Sequence, residues 1–558
     1  MLNAREMVIQ LDVKVPMRDG VNLSADLYRP KTRGPFPTLL CRTIYDNQQP
    51  RYADMLEQFI QRGYAVVIQD CRGRYDSQGD WNPYLCEAPD GYDTQEWVGK
   101  QSWCDGNIGM FGLSYVGFTQ VQTAPLASKH LKCLIPEGHQ EDNFGHIYTE
   151  GVLHLQNAIN FGWWIGVRTV HSYARVNFNP ESIYWHLPLI SALDEFNPHP
   201  AYKLFLSHPT FDDYWKSYSL KGKYKHIEAP ALHITGWYDN LVHEGFKTFR
   251  GWSQEAKTEK ARRLSKMIVG PWVHSFLGSA NSYGDIQFGP QAAMDLMEVR
   301  MRWFDQRLRG IETGIDQEPP LRLFVMGANV WRDENEWPLA RTQFTKYYIH
   351  SHGRANSLFG DGILSPERPS DERTDSYDYN PANPVPTQGG QSQMLDNMGP
   401  RDRRQVARRD DVLVYSTPVL DRDVEVTGPV EMVLHASSSA VDTDFTATLV
   451  DVYPSGQAIV ITAGVIMARY RESLERATLM KPGTVHEFRI ILWETSNCFK
   501  AGHQIRLEIS SSNFPHWSRN LNTGEDLSTG VRMEIAHQTI FHNTQYPSHL
   551  VLPIIPAP

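Results

Sequence analysis

Three residues of this chain have the types, order and local settings that nucleophilic catalysis needs. Ser114 lies in Gly112-Leu-Ser-Tyr-Val-Gly117, Asp239 in Gly236-Trp-Tyr-Asp-Asn240, and His274 in Gly270-Pro-Trp-Val-His-Ser275. A serine on a tight turn from strand into helix has its hydroxyl pushed clear of the sheet edge. The turn also presents the next backbone N–H, here that of Tyr115, and the helix N-terminus to a developing oxyanion. Glycines make room for such a turn. The usual spacing is G-x-S-x-G; here Val116 holds the second glycine position and Gly117 follows, so the pattern alone also fits a plain turn or a capping serine. An imidazole would take the Ser114 proton and return it to the leaving group, and a carboxylate would fix its tautomer and stabilise the imidazolium. Asp70 and Asp285 are rival acids; Asp70, in Asp-Cys-Arg-Gly-Arg74, precedes the serine and is expected to pair with an arginine. Tyr45, in Arg42-Thr-Ile-Tyr-Asp46, carries a phenol that could donate to an oxyanion or simply pack.

These residues need a sheet whose strand ends converge. Short apolar runs at 37–43, 64–70, 107–112, 131–136, 230–236 and 265–270 suit buried parallel strands, and amphipathic stretches at 51–62 and 115–128 suit the helices between them. Ser114, Asp239 and His274 each follow one of these runs. A helix is predicted over 290–309, where Met294, Met297, Met301, Phe304 and Leu308 recur at three- and four-residue spacing. From 141 to 228 the chain is rich in aromatic and His residues, with no clear strand, as expected of a helical cap inserted into the sheet domain. Residues 355–400 read as a long connection with little regular structure. Beyond about 410 the period becomes two, as in Val430, Met432, Leu434 and Ala436 and in Ile505, Leu507 and Ile509, which predicts an all-β sandwich or jelly roll. The expected division is 1–140 and 229–340 for the α/β core, 141–228 for the cap and 341–558 for the β domain.

Composition excludes other classes. Hydrophobic residues are 41% and charged residues 21%, ordinary globular values. A formal charge of −10 argues against a phosphate-tracking surface, and the basic run from Arg401 to Arg409 reads as a solvated loop. No run approaches the apolar length of a membrane span. Six cysteines without a C-x-x-C pair indicate neither a disulfide framework nor structural zinc. The expectations are a cytoplasmic protein with no metal and no cofactor, binding a small-molecule ester or amide and neither nucleic acid nor membrane. Composition does not report whether it forms a homo-oligomer.

Taken together, the segments resemble the cocaine esterase group of α/β-hydrolases, which includes α-amino acid ester hydrolases, glutaryl cephalosporin acylases and X-Pro dipeptidyl peptidases. The segments already quoted carry the likeness, with Gln69-Asp-Cys-Arg-Gly-Arg74, Asp90-Gly-Tyr-Asp-Thr-Gln-Glu-Trp97, Met326-Gly-Ala-Asn329 and Ser510-Ser-Ser-Asn-Phe-Pro515. The resemblance implies an α/β-hydrolase core with inserted helical cap and C-terminal jelly roll, a triad of Ser114, Asp239 and His274, and an oxyanion hole of the Tyr45 hydroxyl and the Tyr115 N–H. The Ser-Tyr-x-Gly elbow is this group's variant. It also implies an acyl pocket built by the cap and by residues near the acid, here Trp163, Trp164, Trp237 and Leu241. Asn240 and Leu241 stand where a bulky aromatic would favour a benzoyl group. Ester cleavage through an acyl-enzyme is the leading expectation. A cephalosporin side-chain acylase and an X-Pro peptidase are the enzyme alternatives, and a catalytically silent binding module, suggested by aromatics such as Trp517, is the non-enzyme one.

Overall fold

The structure is a computed structural model that describes residues 6–165, 167–170, 181–196, 200–279, 283–392 and 397–556, with the side chains of Arg51, Trp164 and Pro200 outside that description. Its first large sheet has ten strands, in the order Met7–Pro16, Asn22–Pro30, Ala65–Asp70, Phe36–Thr43, Cys104–Leu113, Leu131–Glu137, Leu232–Tyr238, Lys266–Val273, Leu321–Val325, Val330–Glu334. The run from Ala65–Asp70 to Leu321–Val325 is parallel, and the two outermost pairings on one side and the outermost one on the other are antiparallel. All six strands expected from apolar runs are present. Ala65–Asp70, Leu232–Tyr238 and Lys266–Val273 are buried along their whole length, as strands covered on both faces must be.

The connecting helices follow the sequence with two differences. The helix after Ser114 ends at Thr123, where Pro125 forces a short 3-10 turn. The predicted helix over 290–309 begins only at Leu296: Asp295 caps it, accepting from the N–H groups of Met297 and Glu298, and the preceding Pro290–Ala292 is a separate turn. Residues 141–228 carry short helices, among them Phe144–Ile147, Leu155–Trp164, Pro200–Ser207 and Asp213–Lys216. They also hold a two-stranded ribbon, Tyr148–Thr149 with Val152–Leu153, which the aromatic pattern concealed.

From Gln343 onward the described chain is mostly strands, joined in an eleven-stranded sheet. Val430, Met432, Leu434 and Ala436 are all fully buried, as are Ile505, Leu507 and Ile509. The stretch 355–400 is more ordered than its composition suggests, since Asp375–Tyr379 pairs with Ala536–Phe541. Asp375 there accepts from Ser351 (2.7 Å), Tyr415 (2.8 Å) and the Ala355 N–H (2.8 Å), and bonds His542 (2.9 Å). The basic run is not a solvated loop either. Arg403 is buried against Glu508 (2.9 Å), while Arg401 pairs with Asp285 and Arg409 with Asp411. Among the described residues no helix is long and apolar enough to cross a membrane. The chain is thus a mixed α/β protein with one large sheet, followed by a part built mainly of strands.

Candidate active site

Ser114 sits between the strand Cys104–Leu113 and the helix Tyr115–Thr123 with φ +67° and ψ −126°. A non-glycine residue at positive φ is uncommon and marks a constrained turn. The turn is held from below: the Ser114 N–H donates to the Glu137 carbonyl (2.9 Å) and the Phe118 N–H donates to the Ser114 carbonyl (2.9 Å). The displaced glycine has a steric reason. A β-carbon on Gly117 would lie 2.7 Å from the Glu137 carbonyl oxygen, so glycine is needed where the helix meets the next strand. Val116 instead lies over Gly112, where a β-carbon would come within 2.2 Å of Val116 Cγ1. Glu137 is itself fixed by a bidentate pair with Arg300 (2.6 and 2.8 Å), a partner that sequence reasoning did not find.

Tyr115 is the first helical residue, so no carbonyl one turn earlier can take its N–H. Its side chain points into the core, where the phenol donates to Glu87 (3.0 Å) and accepts the Tyr84 N–H (2.8 Å). Tyr45 follows the strand Phe36–Thr43, and Leu40 of that strand is in register with Met110 of the strand that precedes Ser114. Counting forward, Tyr45 and Ser114 emerge at the same edge of the sheet. Tyr45 is mostly buried, with its N–H on Thr43 Oγ1 (3.0 Å).

Asp239 and His274 follow adjacent parallel strands in which Tyr238 pairs with Val273. The imidazole Nδ1 lies 2.9 Å from Asp239 Oδ1. Since an ionised carboxylate only accepts, this bond places the proton on Nδ1 and leaves Nε2 with its lone pair. The carboxylate also accepts from the Leu241 N–H (2.9 Å) and from Thr235 Oγ1 (3.2 Å). Gly138 joins this pair to the strand that precedes Ser114. A β-carbon there would lie 2.8 Å from Asp239 Oδ2, 2.9 Å from Leu113 Cδ1 and 3.0 Å from His274 Nδ1. The residue before Ser114 and the imidazole therefore flank one glycine. Ser114 remains partly exposed at this edge, whereas Asp239 is fully buried.

The rival acids lie elsewhere. Asp285 is paired with Arg401 and accepts the Asp402 N–H (2.8 Å). Asp70 accepts the Asn47 N–H (2.9 Å) and, contrary to expectation, forms no ion pair with an arginine among the described residues: Arg72 pairs with Asp90 and Asp19, and Arg74 bonds the Ile44 and Ile165 carbonyls. Burial pushes the Asp70 carboxyl up to about 8. Burial pushes His139 and His146, both near Asp239, down to about 4.

The pocket residues divide. Trp237 is core, not pocket: it is fully buried, its indole donates to the Phe324 carbonyl (2.7 Å), and it stacks on Phe246. Leu241 is buried directly beside the acid. Trp163 is half-buried against Phe196 (5.8 Å between centroids), and the Trp164 side chain lies outside the described residues. Many aromatics of 141–228 form that region's own core, with Trp215 fully buried among Phe144, Tyr148 and Phe205. Trp517 is buried beside His154 and His516, so it offers no surface platform. Asn240, which sequence singled out, is buried and its amide makes no hydrogen bond among the described residues.

Residues 19–276 match the family described as X-Pro dipeptidyl-peptidase (S15 family), and residues 313–551 match the X-Pro dipeptidyl-peptidase C-terminal non-catalytic domain. The chain is 40% identical to cocaine esterase from Rhodococcus sp. (strain MB1 Bresler), over 98% of both chains. It belongs to the cocaine esterase family of serine hydrolases. Within that family it is also 25% identical to a putative serine esterase of Mycobacterium tuberculosis (strain CDC 1551 / Oshkosh), over 90% of both chains. Among solved structures, a selenomethionine-labelled α-amino acid ester hydrolase has the same fold, with TM-score 0.82 and 24% identity over 99% of this chain and 98% of that one.

Proposed function

We propose that this serine hydrolase cleaves acyl esters of small molecules through Ser114, His274 and Asp239. The observation that carries the reading is the 2.9 Å bond from His274 Nδ1 to Asp239 at the sheet edge that also presents Ser114. Ser114 Oγ attacks the carbonyl carbon as its proton passes to His274 Nε2. The oxyanion is met by the Tyr115 N–H and the Tyr45 hydroxyl. The imidazolium gives its proton to the leaving alcohol, an acyl-enzyme remains, and water activated by the same imidazole releases the acid. Asp239 stays ionised, holding the tautomer throughout. The same proposal takes the first sheet as an α/β-hydrolase core, residues 141–228 as its cap and 341–558 as a jelly roll. Trp163 and Leu241 are the proposed walls of an apolar acyl pocket. A cytoplasmic location is part of the same proposal, in keeping with a sequence that has no C-x-x-C pair or disulfide-type cysteine spacing.

The test is Ser114→Ala with p-nitrophenyl acetate and a fluorophosphonate probe. Turnover should fall by about 10⁶-fold and labelling should vanish; a variant that hydrolyses normally refutes the assignment. The match to the X-Pro dipeptidyl-peptidase family supports a second reading, cleavage of peptides after proline. An Ala-Pro-p-nitroanilide substrate decides between them: the ester reading expects kcat/KM well below that for the acetate.

A further inference from the structure

The strand His486–Phe499 of the C-terminal part reaches the first turn of the helix that follows the acid. Its pairing with Val424–Ser438 is interrupted: Pro429 faces Glu494 and Glu431 faces Ile491, so Leu492 and Trp493 stand opposite the single residue Val430. This is a β-bulge, a device that re-aims side chains. Trp493 within it has φ +68°, a conformation that suits glycine and strains a bulky residue. Such strain persists only where surrounding contacts over-determine it.

Contacts with two helices and a part-buried ion pair supply that constraint. The Trp493 ring lies parallel to His243 on the acid helix Val242–Glu255 (6.1 Å, 4°) and nearly parallel to His154 at the start of helix Leu155–Trp164 (6.3 Å, 13°). The next residue, Glu494, accepts the His243 Nδ1–H (2.9 Å) and is itself buried. The acid strand is tied to the same β part at two more points. Tyr238 donates its hydroxyl to the Val460 carbonyl (3.1 Å), and the Gln391 amide bridges the carbonyls of Trp237 (3.1 Å) and Ile461 (3.2 Å). Between these ties stands Asp239, whose carboxylate accepts the Leu241 N–H of the same turn.

We propose that the C-terminal part positions the catalytic acid: the bulge residues Trp493 and Glu494 clamp His243, and so hold the turn that orients the Asp239 carboxylate toward His274. The proposal deepens the triad reading and rests on it. Trp493, Glu494 and His243 are positioning residues, with no contact to reacting atoms.

A double-mutant cycle tests it, with p-nitrophenyl acetate hydrolysis by the full chain as readout. Glu494→Ala should lower kcat by about 10- to 100-fold, the cost of a small misplacement, with KM nearly unchanged. Glu494→Gln keeps an amide oxygen for the His243 N–H and should restore most of kcat. In an Asp239→Asn background, whose own kcat is already low, Glu494→Ala should cost less than about twofold, because the group it acts through is gone. An equal loss in both backgrounds overturns the proposal, since the clamp would then act elsewhere. If Asp239→Asn alone keeps full kcat, the triad reading fails first and the proposal falls with it. Should Glu494→Ala not fold, His243→Phe keeps a ring on Trp493 and removes the N–H that Glu494 accepts; a folded His243→Phe enzyme with wild-type kcat overturns the clamp equally.

Discussion

Gly117→Ala probes the elbow by one methyl group. The new β-carbon would sit 2.7 Å from the Glu137 carbonyl oxygen, 3.0 Å from His139 Cβ and 3.2 Å from the Glu137 nitrogen. Two of these atoms are main chain of a buried strand and cannot rotate away. Reaching ordinary contact at 3.4 Å requires the helix start and the strand end to part by about 0.7 Å. Overpacking of this kind costs roughly 1–3 kcal/mol. Alanine in a helix gives back about 1 kcal/mol relative to glycine. The net loss of about 0–2 kcal/mol leaves the protein folded, with the melting temperature lowered by no more than a few degrees. Activity should suffer more, because the displaced carbonyl is the one that takes the Ser114 N–H. A shift approaching 1 Å at a reacting group costs about 10²-fold in rate. The assay is kcat on p-nitrophenyl acetate and the second-order rate of fluorophosphonate labelling, beside a thermal melt. Gly245→Ala is the stability control, since its nearest neighbour would be 3.7 Å away and it should gain about 1 kcal/mol. A Gly117→Ala enzyme that melts and turns over like wild type would refute the steric account of the elbow.

Tyr45→Phe should lower kcat by about 10²–10³ while leaving the melting temperature in place, if the phenol is one of two oxyanion donors; steady-state kinetics on an activated ester decide it. Asp70→Asn should make stability less pH-dependent. Burial holds the folded Asp70 carboxyl protonated up to about 8, whereas in the unfolded chain it ionises near its ordinary value. The folded state therefore binds the extra proton, and the stability it contributes is lost as pH rises from about 4 to about 8. Melts of wild type and variant at pH 5 and pH 8 should show the variant gaining more at pH 8; an equal difference at both would contradict the raised value.

Sequence disclosed what depends on local pattern. Buried parallel strands are continuous apolar runs, so all six central ones could be read, and the order of Ser114, Asp239 and His274 followed from them. The antiparallel edges were not read, because a strand such as Met7–Pro16 leaves Ile9 and Leu11 exposed and lacks the apolar run. Trp237 was misplaced because a tryptophan beside an acid looks the same whether it lines a pocket or fills a core. Its deciding partner, the Phe324 carbonyl, is far along the chain. Asp70 was misjudged for the same reason, since in space Arg72 meets other carboxylates and Arg74 meets backbone carbonyls. Gly138 and Arg300 carried no readable signal: one matters through what a side chain would strike, the other through a carboxylate brought to it by the sheet.

The ties from Gln391, Val460 and Ile461 to the acid strand bear on biosynthesis. A ribosome making this chain delivers Ser114, Asp239 and His274 well before the strands that grip residues 237–243. A growing polypeptide that already holds all three chemical groups still lacks the frame around one of them. On the proposed role of that frame, a chain ending before residue 391 would lack all of these ties, and its ester hydrolysis should fall well below that of the full chain.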